Sequence, residues 1–236
     1  MWARSGLAIC LRLSGFVALF SSLGCASIPQ RGASARQQLL DAMKPFEANG
    51  FVELTGKIRK SSDSAPKSFL LLMGPDGRFL YRCGDTLQFS NGYTRGSIDF
   101  STFPRTEQVT HEGVDREDVA MAVGMAEGPY PFALAYALGH ERWLSALLGP
   151  KGGEFESSNR LRDDLDIVIR QEGRELRFIF VGGNKRPSVY RVRACGDKVH
   201  LDEIEYRFSI VRFPNQIPDK AFRPDLASQA GQAEKE

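Results

Sequence analysis

The chain has 236 residues, with 31 Lys and Arg against 29 Asp and Glu, a formal net charge of +2. Hydrophobic residues make up 42% and charged residues 25%, an ordinary globular balance that excludes disorder for most of the chain. The length suits one domain of roughly 200 residues able to bury a core without metal or disulfide, and the small charge excess argues against nucleic acid as a partner.

The N-terminus reads as an export signal. Arg4 and Arg12 are basic, and no acid occurs before Asp41. Leu13 to Leu23 is an apolar run of eleven residues, right for a signal core and too short to span a bilayer. Ser22-Leu23-Gly24-Cys25 resembles a bacterial lipobox, cut before a cysteine that is then diacylated, although Ser22 and Leu23 stand in swapped order. A plain secretory cut near Ala26 or Ser27 is the alternative. Removing residues 1–24 leaves 29 basic and 29 acidic residues, so long-range charge steering of a partner is not expected.

Of the four cysteines, Cys10 leaves with the signal and Cys25 would carry lipid. Cys83 and Cys195 remain, each followed by Gly-Asp. An oxidising compartment allows them to pair, closing a loop of 113 residues and stabilising by about 4–5 kcal/mol in the chain-entropy model. Two buried thiols are the alternative.

Residues 25–33 read as a lipidated N-terminus and tether. Ser34 is a candidate N-cap for a helix carrying Leu39, Leu40 and Met43, with Pro45 to end or kink it. Strand patterns follow. Val52, Leu54 and Ile58 alternate with polar residues. Phe69 to Met73 is apolar at both parities, as in a strand covered on both faces. Gly74-Pro-Asp-Gly77 marks a turn. Phe79, Tyr81 and Cys83 share a parity, which Leu87 and Phe89 are expected to continue. Asn91-Gly92 predicts a type I′ hairpin, and Ile98, Phe100 and Phe103 fall in an extended run reaching Val109.

The period then changes. Asp115 can cap a helix through Val123 that Gly128 ends. Pro131 opens a second helix, apolar on most sides and running to Leu148, where Gly149-Pro150 stops it. Gly149 to Gly153 reads as a linker.

The last third returns to strands. Leu165, Ile167 and Ile169 alternate with Asp164 and Asp166, whose carboxylates read as an exposed face. Leu176, Phe178 and Phe180 share a face after a turn at Gln171-Glu-Gly-Arg174. Gly182 to Pro187 is the next turn, after which Tyr190, Val192 and Ala194 face in and Arg191 and Arg193 face out. Val199 and Leu201 precede Ile204, Tyr206, Phe208 and Ile210 at opposite parity, which predicts a bulge near Asp202-Glu203. Residues 226–236 form a polar tail.

Adjacent hairpins imply an antiparallel sheet, and helices in one block between strand blocks exclude a parallel βαβ fold. The fold class is therefore α+β, a curled antiparallel sheet whose concave face the helices cover. Motifs for serine hydrolase, zinc protease, redox dithiol, phosphate-loop or dinucleotide chemistry do not occur. His111, His140 and His200 lack ligand spacing. The reading is a non-enzyme with no cofactor and no metal.

The order of one helix, strands, a helix pair and strands resembles the bacterial outer-membrane lipoprotein carrier and insertion superfamily. Three phrases carry the likeness across residues 34–225: Ser90-Asn-Gly-Tyr-Thr94, Phe103-Pro-Arg-Thr-Glu-Gln-Val109, and Phe213-Pro-Asn-Gln-Ile-Pro-Asp-Lys-Ala-Phe222. The closing phrase has one proline, Pro224, where the family often has two. The resemblance implies an unclosed half-barrel lidded by helices, lipid or an acylated protein as partner, and a periplasm-facing place at the outer membrane, with anchoring through Cys25. Some relatives instead sense or dock on an envelope protein, so the fold leaves that alternative open.

Strand alternation names the face on which a ligand would lie. The first block contributes Phe69, Leu71, Phe79 and Tyr81. The second contributes Leu165, Ile167, Leu176, Phe178 and Phe180. Leu134, Leu138, Trp143 and Leu147 line the helix side. A packed core would use the same residues. The two differ in whether an apolar pocket of a few hundred Å³ is present.

Overall fold

In the computed structural model the described residues are 30–47, 50–75, 77–101, 106–110, 130–139, 141–159, 163–183, 185–194 and 203–222. The expected signal, Cys25, the helix from Asp115, all three histidines, Cys195, Val199 and Leu201, and the tail lie outside them.

The first block of strands is β1 (Gln30–Arg31), β2 (Val52–Lys60), β3 (Lys67–Met73), β4 (Arg78–Cys83), β5 (Thr86–Asn91), β6 (Arg95–Asp99) and β7 (Thr106–Thr110). The second is β8 (Glu154–Asn159), β9 (Leu165–Gln171), β10 (Arg174–Val181), β11 (Arg186–Ala194) and β12 (Glu203–Arg212). Helix α1 (Ala33–Met43) precedes them, and α2 (Tyr130–Leu138) and α3 (Arg142–Leu148) stand between the blocks. The twelve strands form one antiparallel sheet in the order β1-β8-β9-β10-β11-β12-β2-β3-β4-β5-β6-β7. It does not close, because β1 and β7 are its two edges. Its curl shows in the core: Leu165 of β9 and Phe79 of β4 belong to one apolar cluster although five strands separate them. This is the expected unclosed half-barrel, with the helices against the concave side.

A smaller cluster covers the outer face of the first block. Leu72, Leu80, Leu87, Phe89 and Ile98 pack there with Ile217 and Phe222 from the C-terminal segment. Arg78 fastens that segment: its guanidinium lies 5.4 Å from the Phe51 ring and 5.6 Å from the Phe222 ring, and 2.5 Å from Asp219. Together the two faces account for the doubly apolar β3.

Several expectations are corrected. The N-cap of α1 is Gly32, not Ser34, and Gln30–Arg31 pairs with β8 instead of running on as tether. At Pro45 the helix does end as expected, giving way to a 3-10 turn, Lys44–Phe46. The long second helix is broken into α2 and α3. Gly139 takes a φ of 67° and caps α2 through its N–H on Ala135, and Glu141 follows at a φ of 58°. Leu87 and Phe89 do not continue the parity of Tyr81. The two-residue turn Gly84-Asp85 pairs Cys83 with Thr86 and Leu80 with Phe89, so odd positions oppose even ones and both residues turn outward. In the β5–β6 hairpin the tight turn centres on Gly92-Tyr93. Gly92 has a φ of 92°, and Asn91 Oδ1 accepts from the N–H groups of Tyr93 and Thr94. The extended run to Val109 is two antiparallel strands, β6 and β7.

The bulge lies farther along than expected. In β12, Phe208 opposes Gly56 and Ile210 opposes Thr55, which leaves Ser209 as the extra residue. Phe208 therefore faces in and Ile210 out. A second irregularity falls in β11, where Val189 opposes Ile179 and Pro187 opposes Phe180, leaving Ser188 unpaired. The ladder between β11 and β12 runs from Arg193↔Glu203 to Val189↔Arg207 and ends there, beside both bulges.

Among the described residues there is no disulfide. Cys83 is a free, half-buried thiol on β4.

Candidate functional site: the concave face

The residues chosen by alternation do converge. Phe69, Leu71, Phe79, Tyr81, Leu165, Ile167, Leu176, Phe178 and Phe180 are all buried in the concave cluster, facing Leu134, Trp143 and Leu147. Leu138, at the end of α2, is partly buried against the same cluster. Leu39, Leu40, Met43 and Phe46 of the N-terminal segment complete the lining.

Phe132 belongs to the same face although strand alternation does not select it. Its ring is fully buried and meets Phe46 at 4.8 Å, Phe208 at 4.9 Å and Tyr190 at 6.3 Å. It thus joins α2 to the 3-10 turn on one side and to β11 and β12 on the other. The signal was present, because a helix apolar on every side cannot be reduced to one i, i+4 row. Tyr190, Tyr206 and Phe208 extend the ring network: Tyr190 meets Phe178 at 4.8 Å, and Tyr206 meets Tyr190 at 5.7 Å.

Few polar groups reach this face. Tyr81, Tyr190 and Tyr206 place hydroxyls there, and Cys83 lies beside Tyr81. Burial raises the ionisation of all three phenols well above the ordinary value; Cys83 adds to the effect at Tyr81, and Tyr190 adds to it at Tyr206. Tyr81 Oη is buried with no hydrogen-bond partner. A buried unpaired hydroxyl costs about 1–3 kcal/mol, which makes it a polar point on an apolar wall.

The helix pair is latched at its margins. Trp143 Nε1 donates to Glu47 at 3.0 Å, and Tyr136 Oη donates to the Gly50 carbonyl at 3.3 Å. Arg36 pairs with Glu141 at 3.1 Å. Gln171 and Arg174, at the β9–β10 turn, donate to the carbonyls of Leu148 and Leu147 at 2.8 and 2.5 Å. Between these latches the contact is apolar.

The acidic pair departs from expectation. Asp166 is 4% exposed and accepts two hydrogen bonds from Arg177, at 2.9 and 2.6 Å. Asp164 accepts from the Gly182 N–H at 2.9 Å. The two acids brace β9, β10 and the following turn on the outer side. Among the described residues no group of His, Cys, Asp and Glu is placed to hold a metal, and no helix is long and apolar enough to cross a membrane.

No family model matches the chain, and no curated protein matches it. Among solved structures it is similar to a LolA superfamily protein from Nitrosomonas europaea. The identity is 9%, the TM-score 0.34, and the match covers 80% of this chain and 97% of that one.

Proposed function

We propose that the chain is a non-enzymatic envelope lipoprotein that takes the acyl chain of a lipid or of an acylated protein beneath its helix pair, as carrier or acceptor. The observation that supports this reading is the concave face itself. An unclosed sheet presents Phe, Leu and Ile from strands as far apart as β4 and β9 to two short apolar helices latched only at their margins. An acyl chain gains about 0.8 kcal/mol per buried CH₂ and needs no polar recognition. In this state Phe132, Phe46 and Trp143 stand where the chain would lie. Moving the helices outward exchanges one set of apolar contacts for another.

The N-terminal reading belongs to the same proposal. Residues 1–24 are the signal, Cys25 carries lipid, residues 25–33 begin the mature chain, and residues 34–225 form the binding domain, with 226–236 as tail. The protein then faces the periplasm from the outer membrane. Protein purified from membranes should show acylated Cys25 at its N-terminus by mass spectrometry, and a co-purifying lipid under native conditions. Cys25→Ser should release it from the membrane. A mature N-terminus at residue 26 or later would reject the anchor, and folded protein free of lipid would count against the carrier.

A second reading is favoured by the full burial of Phe132, Phe46 and Trp143. If Phe132, Phe46 and Trp143 stay in place, the domain is a structural or sensor lipoprotein docking on an envelope protein partner. Saturable binding of a fatty acid separates the two.

A further inference from the structure

The sheet has a split in its wall. Beyond Val189↔Arg207, residues 186–188 of β11 and 208–212 of β12 are no longer paired with each other. Both strands carry their extra residue at this point, Ser188 and Ser209. A bulge bends its strand and strengthens local twist, so two of them at one seam drive the strands apart. The gap is a cleft of about 270 Å³ lined by Val181, Arg186, Pro187, Phe208, Ile210 and Arg212 among others. This is just under the roughly 300 Å³ at which small-molecule sites begin.

Residues of both faces line it. Phe180 faces the core, so its neighbour Val181 and Val181's partner Arg186 face out, as do Ile210 and Arg212. Pro187 and Phe208 face in. Phe208 reaches the concave cluster, 4.9 Å from Phe132 and 5.9 Å from Phe69. The cleft is thus lined by residues of both faces, with Phe208 on its inner side. Its outer rim keeps apolar surface open to water at Val181, which is 40% exposed. The rim is also cationic. Arg186 is exposed and makes no ion pair among the described residues, and Arg212 lies 4.0 Å from its acid, Glu53.

We propose that the split between β11 and β12 is a lateral binding site for an amphiphile with one acyl chain and an anionic head. The carboxylate or phosphate sits at Arg186 and Arg212, and the chain lies on Val181, Pro187 and Ile210 with its end against Phe208, the plug of an entrance to the concave face. This rests on the acyl-chain reading for what lies beyond Phe208. Guanidinium forks suit either anion, so a free fatty acid and a lysophospholipid share the chemistry.

The test uses the full mature chain and three photoreactive probes of equal chain length: a fatty acid, a lysophosphatidylglycerol and a neutral fatty alcohol. Crosslinked peptides are mapped by mass spectrometry. Adducts should fall in 181–188 and 208–212. Arg186→Glu with Arg212→Glu should weaken both anionic probes about tenfold and leave the alcohol unchanged. These arginines are on the surface, so the variant keeps the fold. If only one anionic probe loses affinity, that probe's head group is the natural class. Saturable binding with adducts elsewhere, or binding indifferent to the charge reversal, overturns the lateral site and leaves the concave-face reading standing. No saturable binding of any probe to folded protein overturns both.

Discussion

Phe69 reaches over Gly56 to meet Phe208 edge-on, with ring centroids 5.9 Å apart. The two residues belong to β3 and β12, which β2 separates, and only a position without a side chain lets them touch. A Cβ at Gly56 would overlap the Arg207 carbonyl and come within 3.0 Å of the Phe69 ring. Gly56→Ala is expected to destabilise by about 1–3 kcal/mol, as overpacking of a core does. The check is a lower urea midpoint at unchanged slope. A midpoint equal to wild type would show that β2 yields without cost.

Asp166 and Arg177 make the second prediction. Arg177→Met leaves a nearly buried carboxylate without its two donors. Loss of a buried partner costs about 3–5 kcal/mol, and the partial exposure of Arg177 reduces this to about 2 kcal/mol. Asp166→Asn with Arg177→Met should recover part of the loss, which chemical denaturation of the single and double variants will measure.

The tyrosines give a prediction in pH. Tyr81, Tyr190 and Tyr206 have native pKa values raised above the ordinary 10.0, burial being the main cause. The unfolded chain loses these protons first as pH rises, so their contribution is complete below pH 10 and is lost above it. Spectroscopic titration of the folded protein reads this. The buried three should ionise only with unfolding. Reversible titration of Tyr81, Tyr190 and Tyr206 in folded protein would contradict the buried cluster.

Glu205 acts at the acid end. Burial would raise its carboxyl, but hydrogen bonds from Arg207 and Arg191 outweigh burial and hold it below the ordinary 4.5. Its contribution is therefore present above pH 4.5 and falls away as pH drops through the lowered value. Arg191→Ala should make acid unfolding begin at higher pH, read by circular dichroism.

Within a single strand the sequence was legible, because side chains alternate with a period of two and the apolar set names its own face. That sufficed for Leu165, Ile167 and Ile169, and for Leu176, Phe178 and Phe180. It failed wherever the phase between strands depends on turn length or an inserted residue. Leu87 and Phe89 went to the wrong face because Gly84-Asp85 is a two-residue turn. Ile210 did so because Ser209, with no special composition, is a bulge. β8 was missed because Glu154 to Asn159 is polar and takes its order from β9. The site residues were recoverable because burial selects them, whereas Phe132 needed the break at Gly139 to be placed.

The concave-face claim has a built-in reporter. The chain has two tryptophans, Trp2 in the proposed signal and Trp143, fully buried beneath the helix pair. With the proposed signal removed, Trp143 emits alone. A fatty acid brominated along its chain should quench that emission saturably and in proportion to occupancy, with an unbrominated fatty acid competing it away. Unchanged Trp143 emission in folded protein, at concentrations where a fluorescent fatty acid is otherwise seen to bind, would contradict an acyl chain beneath the helices.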